Sequence, residues 1–356
     1  MLEGVKILDF SQYLPGPFAT LRLVDRGAEV IKVEAPAGDP TRQMANEALF
    51  AVNNRGKKSV AVDLKSKDDQ SKIYKLLEDI DVVIESFRPG VMKRLGYGYE
   101  LIKDIKPDIV YLSLTGFGQN SSYSHQGSHD LNYVAMSGLL SQYKDKIGHP
   151  VMPTQTLADL VGGMAASEAI LSALFKRERT KDGSYIDLAM TDAVISMMGN
   201  HAMFSSIAGI ESGIPVLNGS YANYRVYETK DQRFMTMGAL EYKFWKNFCE
   251  AVGKEQWLEN FPEQLIEQDT ILEVEKLFLT KTFQEWTEMG KQYDCCLFPV
   301  LEIDEVINNE YVKERGLVQI NNGQPFIQTH YHNIHKSEHV AELNEHDHLL
   351  SQNPKV

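Results

Sequence analysis

Cysteine is nearly missing from this chain. The three residues present, Cys249, Cys295 and Cys296, exclude a disulfide framework, and the adjacent pair has the spacing of neither a zinc knuckle nor a redox CxxC motif. They read as core thiols. No run approaches the roughly 20 apolar residues of a membrane span, and the N-terminus enters Val5-Lys6-Ile7-Leu8-Asp9-Phe10 without the regions of a signal peptide. A cytoplasmic protein with no membrane partner is therefore expected. Positive charge is in deficit, with a formal net charge of -13, which excludes nucleic acid as the main partner because a phosphate backbone demands a basic face. The GxGxxG spacing is absent, since Ser11-Gln12-Tyr13-Leu14-Pro15-Gly16-Pro17-Phe18-Ala19 follows the first apolar run, and a nicotinamide dinucleotide is not expected. HExxH is missing too. His330, His332, His335, His339, His346 and His348 crowd the tail without accompanying thiolates, and read as a surface tail rather than a metal site.

What is present suffices for two cores: 43% of 356 residues are hydrophobic, and two domains are expected. Short apolar, β-branched runs at 5–10, 29–33, 59–62, 82–85 and 109–114 alternate with amphipathic stretches. The clearest runs from Asp68 to Ile80, where Ile73, Leu76, Leu77 and Ile80 recur at helical spacing. This predicts an α/β domain with a largely parallel sheet covered by helices, of the nucleotide-binding kind. Pro17 suits the first turn of a helix whose amides face an anion, although Pro-Gly-Pro is also an ordinary turn. Residues 116–128, rich in Gly, Ser, Asn and Gln, deliver His129 to a helix start, and Asp159 opens a second helix running to about Arg179. Composition changes near residue 210. Asn223 to Gly238 reads as a hairpin with Asp231 near its turn, a helix follows from Glu241, and Cys296 to Leu301 is strand-like. The expected division is a large domain over 1–185, a smaller domain with linking helices over 186–325, and a tail over 326–356 that returns toward the large one.

Two ionisable residues stand in distinctive surroundings. His129 lies in Gly127-Ser128-His129-Asp130-Leu131-Asn132-Tyr133, and Asp159 opens Asp159-Leu160-Val161-Gly162-Gly163-Met164-Ala165-Ala166. A histidine and a carboxylate on opposite faces of one carbon can remove a proton from one side and return it on the other. Asp159 read by itself is equally a helix cap. Basic residues concentrate at Arg55-Gly56-Lys57-Lys58 and again from Arg88 to Arg94, each either a solvated face or a site for a small anion.

From Val5 to about Val318 the chain resembles the family III coenzyme A transferases, and within them the 2-methylacyl-CoA racemases. The segments that carry the likeness are Leu14 to Ala19, Ser59 to Lys65, Glu85 to Val91, Gly127 to Gly138, the Asp159 run, Gly183 to Thr191, Phe298-Pro299-Val300-Leu301 and Lys313-Glu314-Arg315-Gly316. The resemblance implies a Rossmann-like large domain plus a smaller α+β domain, in an interlocked homodimer whose active sites form at the junction of two chains. It implies coenzyme A contacts at Val62, Asp63, Leu64, Lys65, Ser86, Phe87, Arg88 and Arg94, with Ser128, Asp130 and Tyr133 beside the bound thioester. Lys point charges and Arg forks suit its phosphates. One departure is Ala35, where the racemases present an arginine, and Arg42 is the candidate substitute. Two chemistries are implied. In the racemases His129 and Asp159 would be opposed acid/base groups with Glu241 orienting the imidazole; in the transferases the Asp159 position is the nucleophile that carries an acyl group. The histidine and the lack of a poly-Gly loop, with Leu217-Asn218-Gly219-Ser220 in its region, favour the racemases. Leu160-Val161 departs from their pattern and would narrow the acyl pocket. Neither chemistry requires a metal or redox cofactor, and coenzyme A enters as part of the substrate.

Overall fold

The computed structural model describes residues 1–145, 147–210, 212–259, 261–321, 323–329 and 339–351. They form two units, Met1–Met198 with Glu314–Val356, and Gly199–Lys313. In the first, β1 (Lys6–Asp9), α1 (Pro15–Val24), β2 (Glu29–Glu34), α2 (Ala48–Asn54), β3 (Lys58–Ala61), α3 (Lys67–Leu77), β4 (Val82–Glu85), α4 (Val91–Leu95), α5 (Tyr99–Ile105) and β5 (Val110–Thr115) alternate along the chain. They are followed by α6 (Asp130–Met136), α7 (Leu157–Thr180), β6 (Ser184–Ala189) and α8 (Met190–Ser196). The strands pair in parallel in the order β3-β2-β1-β4-β5-β6. That order reverses direction between β1 and β4, the crevice where doubly wound sheets bind ligands beyond their carboxyl ends.

Strand alternation sorts the core onto two faces. Ile7, Val30, Val82, Ile84, Val110, Leu112 and Leu114 pack with α1, α6, α7 and α8. Leu8, Ile31, Val33, Val60, Val83 and Tyr111 pack on the other face with α3 and α5. The central helix, α7, comes close to its neighbours because it carries glycine where they touch it. A Cβ on Gly163 would lie 2.6 Å from the Pro15 carbonyl oxygen, and one on Gly162 would lie 2.5 Å from Met190 Cγ. Helix α7 is 24 residues long and apolar enough to meet the length and composition of a membrane span. This corrects the expectation that no segment reaches that measure; Ala158, Ala166, Ile170 and Leu174 of α7 are part of the core against the sheet.

Beneath the carboxyl end of β1 the unit buries a set of charges. Burial pushes the Asp9 carboxyl up, but Lys57, Lys32 and the hydroxyls of Ser11 and Thr20 together hold it below the usual range. Lys57 Nζ lies 3.3 Å from Asp9 Oδ2 and donates to the Pro17 carbonyl at 2.9 Å, while Lys32 pairs with Asp39 at 3.0 Å. Arg55 forks onto both Asp25 oxygens at 2.6 and 2.7 Å.

The second unit holds α9 (Gly199–Ala208), β7 (Tyr224–Glu228), β8 (Phe234–Gly238), α10 (Tyr242–Val252), α11 (Gln268–Phe278), α12 (Phe283–Gln292), β9 (Leu297–Pro299) and α13 (Ile303–Asn308). Its antiparallel sheet packs Tyr227, Met235 and Met237 against Trp245, Phe248, Phe278 and Trp286. After α14 (Glu310–Glu314), β10 (Val318–Asn321) and β11 (Gln324–Ile327) make a hairpin. The two units meet the chain elsewhere than the expected boundaries at 185/186 and 325/326. Helix α8 follows β6 directly and contributes Met190 and Val194 to the first core. The hairpin likewise belongs with the first unit, where Thr329 Oγ1 donates to Asp25 at 2.7 Å.

The close approach of α7 sets a cost for any side chain at its contacts. Gly163→Ala should destabilise the protein by about 1–3 kcal/mol, the usual cost of overpacking, in denaturant unfolding; an unchanged midpoint would mean that α7 is not held against the Pro15 turn.

Candidate active site

His129 is the exposed N-cap of α6, with an extended backbone at φ -136° and ψ 176°. Its N–H donates to Asn132 Oδ1 at 2.9 Å, and its carbonyl accepts from the Asn132 N–H at 2.8 Å. These bonds fix the start of the helix and with it the root of the imidazole. Tyr133, one turn on, is 6% exposed. Its hydroxyl donates to the Ser128 carbonyl and accepts from Ser128 Oγ, both at 3.1 Å. Tyr133 and Ser128 thus brace the backbone that precedes His129. The ring has room because residue 116 is glycine, whose Cβ would fall 2.3 Å from Tyr133 Cε1.

Asp159 lies in the first turn of α7, partly buried. Its N–H donates to Asp130 Oδ1 at 3.0 Å, so one bond ties the first turn of α7 to the residue after His129. Burial, then the Asp130 charge, pushes the Asp159 carboxyl up to about 7. A carboxyl poised near neutrality can give up or accept a proton at working pH. His129, Asp130 and Asp159 are therefore brought together where two helices begin and where first-turn N–H groups lack helical partners.

The expected coenzyme A contacts divide by strand. Val62, Asp63, Leu64 and Lys65 follow β3. Val62 is buried and donates its N–H to the Glu34 carbonyl at 2.8 Å, whereas Asp63 shapes the loop by accepting the Lys65 N–H at 3.0 Å. Lys65 and Arg94 line one cavity of about 190 Å³ with Leu64, Lys67, Gln70 and Leu95. Ser86, Phe87 and Arg88 follow β4, and Ser86 Oγ accepts the Gln12 N–H at 3.1 Å across the reversal between β1 and β4. Arg88 lies against Gly127, where a Cβ would sit 3.3 Å from its Nη2, two residues before His129. Among the described residues, Lys65, Arg88 and Arg94 enter no ion pair.

Other basic residues are engaged elsewhere. In the Arg55 to Lys58 cluster, Arg55 and Lys57 are buried against Asp25 and Asp9, and Lys58 pairs with Glu29 at 3.0 Å. That cluster ties strands and helices together and offers no phosphate site. Arg42 does not stand in for an arginine at Ala35 either. It forks onto Glu34 at 2.7 and 2.8 Å, donates to the Ala341 carbonyl at 2.9 Å and stacks 3.7 Å over Phe50. Glu241 belongs to the second unit, exposed at the N-cap of α10. The loop before it is pinned by Asn223, whose side-chain amide donates to the Ala239 carbonyl at 2.7 Å. Nothing in the sequence had singled out Asn223, which a turn reading absorbs. Of the tail histidines, His339 bonds Glu345 at 2.8 Å and His346 Nδ1 accepts the Ser59 N–H at 3.3 Å. His330, His332 and His335 lie outside the described residues. Among the described residues no group of three or more His, Cys, Asp or Glu is arranged to hold a metal ion.

The chain is similar to known proteins along nearly its whole length. The model of CoA-transferase family III matches residues 2–355. The chain is 33% identical to the alpha-methylacyl-CoA racemase of Homo sapiens over 88% of its own length and 81% of that protein's. It is 30% identical to the acetyl-CoA:oxalate CoA-transferase of Acetobacter aceti over 96% of this chain and 93% of that one. Among solved structures, a CAIB/BAIF family protein from Brucella suis superposes with a TM-score of 0.87 at 25% identity, covering 98% of both chains.

The raised Asp159 carboxyl has a consequence for stability that can be read without substrate. A carboxyl whose folded pKa exceeds its unfolded value favours folding while protonated and loses that advantage as pH rises from about 4 through 7. Asp159→Asn should therefore raise the melting temperature at pH 8, and the gain should shrink as pH falls toward 4. A gain independent of pH would contradict the burial of an ionisable carboxyl here.

Proposed function

The chain belongs to CoA-transferase family III, a family of enzymes, and from that premise we propose that it interconverts the R and S forms of a 2-methylacyl-CoA thioester by 1,1-proton transfer. The observation that carries this reading is the Asp159 carboxyl, pushed up to about 7 and bonded through its backbone to the turn that presents His129. In one direction neutral His129 takes the α-proton, the electron pair moves into the thioester carbonyl as an enolate, and protonated Asp159 delivers a proton to the opposite face. In the other direction the Asp159 carboxylate takes the proton and the imidazolium returns one. Each turnover leaves the pair ready for the reverse reaction, and no other co-reactant is needed. First-turn N–H groups of α6 and α7 are suited to the developing enolate oxygen.

Coenzyme A would be held by Lys65 and Arg94 at their shared cavity and by Arg88 beside Gly127. Three cations that enter no ion pair among the described residues, Lys65 after β3, Arg88 after β4 and Arg94 in α4, reconcile an anionic ligand with a net charge of -13. The reading includes the interlocked homodimer. Helix α9 supports it, because this ten-residue helix has no buried residue and leaves Met203 and Ile207 exposed.

A second reading has its own support in the Acetobacter aceti relative, which is named as a transferase between acetyl-CoA and oxalate. There the ionised form of Asp159 would attack the thioester carbonyl, form a mixed anhydride and release the coenzyme A thiolate.

The two readings part at His129. Asp159→Ala should abolish activity under both. His129→Ala should lower α-proton exchange by about 10²–10⁴-fold, the contribution of one positioned acid/base group, and leave any transfer to added acids intact. Full exchange in the His129 variant would end the racemase reading, and an acyl adduct on Asp159 cleaved by hydroxylamine would establish the transferase.

A further inference from the structure

Glu85 is a buried carboxyl that the proton transfer does not use. It ends β4, is 4% exposed, and pairs with Ser113 across the strands β4 and β5. Its Oε2 accepts the Phe87 N–H at 2.8 Å, which folds the chain into a tight turn over Ser86. The Ser113 hydroxyl bonds the same carboxyl, and Tyr185 Oη donates to Ser113 Oγ at 3.4 Å. Glu85 is thus braced from β5 and β6 while it holds the first turn after β4. Burying a carboxyl is costly unless its bonds serve the structure, and a hydrophobe would fill the same space more cheaply. What this one holds is the backbone from which Arg88 reaches Gly127.

We propose that Glu85 is a positioning residue for coenzyme A, acting through the Ser86–Arg88 turn to set the direction in which the Arg88 guanidinium meets the ligand's phosphates. The inference rests on the proposed binding of coenzyme A at that turn and deepens it. The Gln12 N–H on Ser86 Oγ gives the turn its second anchor, on the β1 side. Between them, the two anchors leave Arg88 as the free arm of an otherwise fixed segment.

The test is a double-mutant cycle on the equilibrium binding of coenzyme A itself, followed by titration calorimetry, so that the outcome does not depend on which reaction the enzyme performs. Glu85→Leu should weaken binding about tenfold, the size of one lost hydrogen bond, and Glu85→Gln, which keeps an oxygen for the Phe87 N–H, should stay within about threefold of the parent. In an Arg88→Ala background Glu85→Leu should change affinity by less than about twofold, because its effect passes through Arg88. Should Glu85→Leu fail to fold, Glu85→Asp replaces it in the same cycle, since it keeps the carboxyl but withdraws the oxygen from Phe87. Additive losses, or Glu85→Gln as weak as Glu85→Leu, would overturn the inference while coenzyme A binding stands. A parent chain that binds no coenzyme A would overturn the proposed function and this inference together.

Discussion

Helix α7 rests against its neighbours at two positions where it has no side chains. Because Gly162 and Gly163 present no Cβ, the helix backbone settles against the Pro15 turn and Met190. The first turn of α7 then meets the first turn of α6. From that meeting follow the bond from the Asp159 N–H to Asp130 and the partial burial of the Asp159 carboxyl. Its raised pKa follows in turn. A helix displaced outward by one methyl group would leave Asp159 better hydrated and closer to an ordinary carboxylate. The acid/base character of the site is in this sense a property of helix packing, with Asp130 adding its charge.

The charges of the first unit fall into two populations with different work. Lys32, Lys57, Arg42 and Arg55 are buried and paired, and together they bind the Ser11 to Pro17 loop, the ends of β2 and β3, and the returning C-terminal segment into one body. Removing either member of such a pair leaves a buried charge uncompensated, which makes the network costly to break. Lys65, Arg88 and Arg94 are exposed and enter no ion pair among the described residues, which leaves them open to an anionic ligand. Exposure and pairing, more than local charge density, separate the structural cations from the ones suited to phosphate.

Much of this was legible in the chain because it depends on local pattern. The β-branched runs that became β1 to β5 lie in a parallel sheet covered on both faces, and β4 and β5 are buried along their whole length. Edge strand β6 alternates between partly buried and exposed residues, and so gave no such run. His129 and Asp159 stood out through the company they keep. The role of Arg55 and Lys57 was hidden, since a basic run reads the same whether its partners are solvent or Asp25 and Asp9, residues distant in sequence. Glu85 was hidden for the same reason: a carboxylate at a strand end looks like a solvated terminus until Ser113 and Phe87 are seen to close over it. The apolar length of α7 is present in its composition, whereas its packing in the core against the sheet is not.

In the proposed racemisation one carbon is deprotonated and reprotonated between His129 and Asp159 without any acyl acceptor. Incubation of an R-2-methylacyl-CoA with the enzyme in D₂O, with no carboxylic acid added, tests it directly by mass spectrometry and chiral analysis of the product. Deuterium at C2 and the S epimer are expected to appear together. Unchanged configuration and no deuterium across several acyl chains, with thioesters formed once carboxylic acids are supplied, would contradict it.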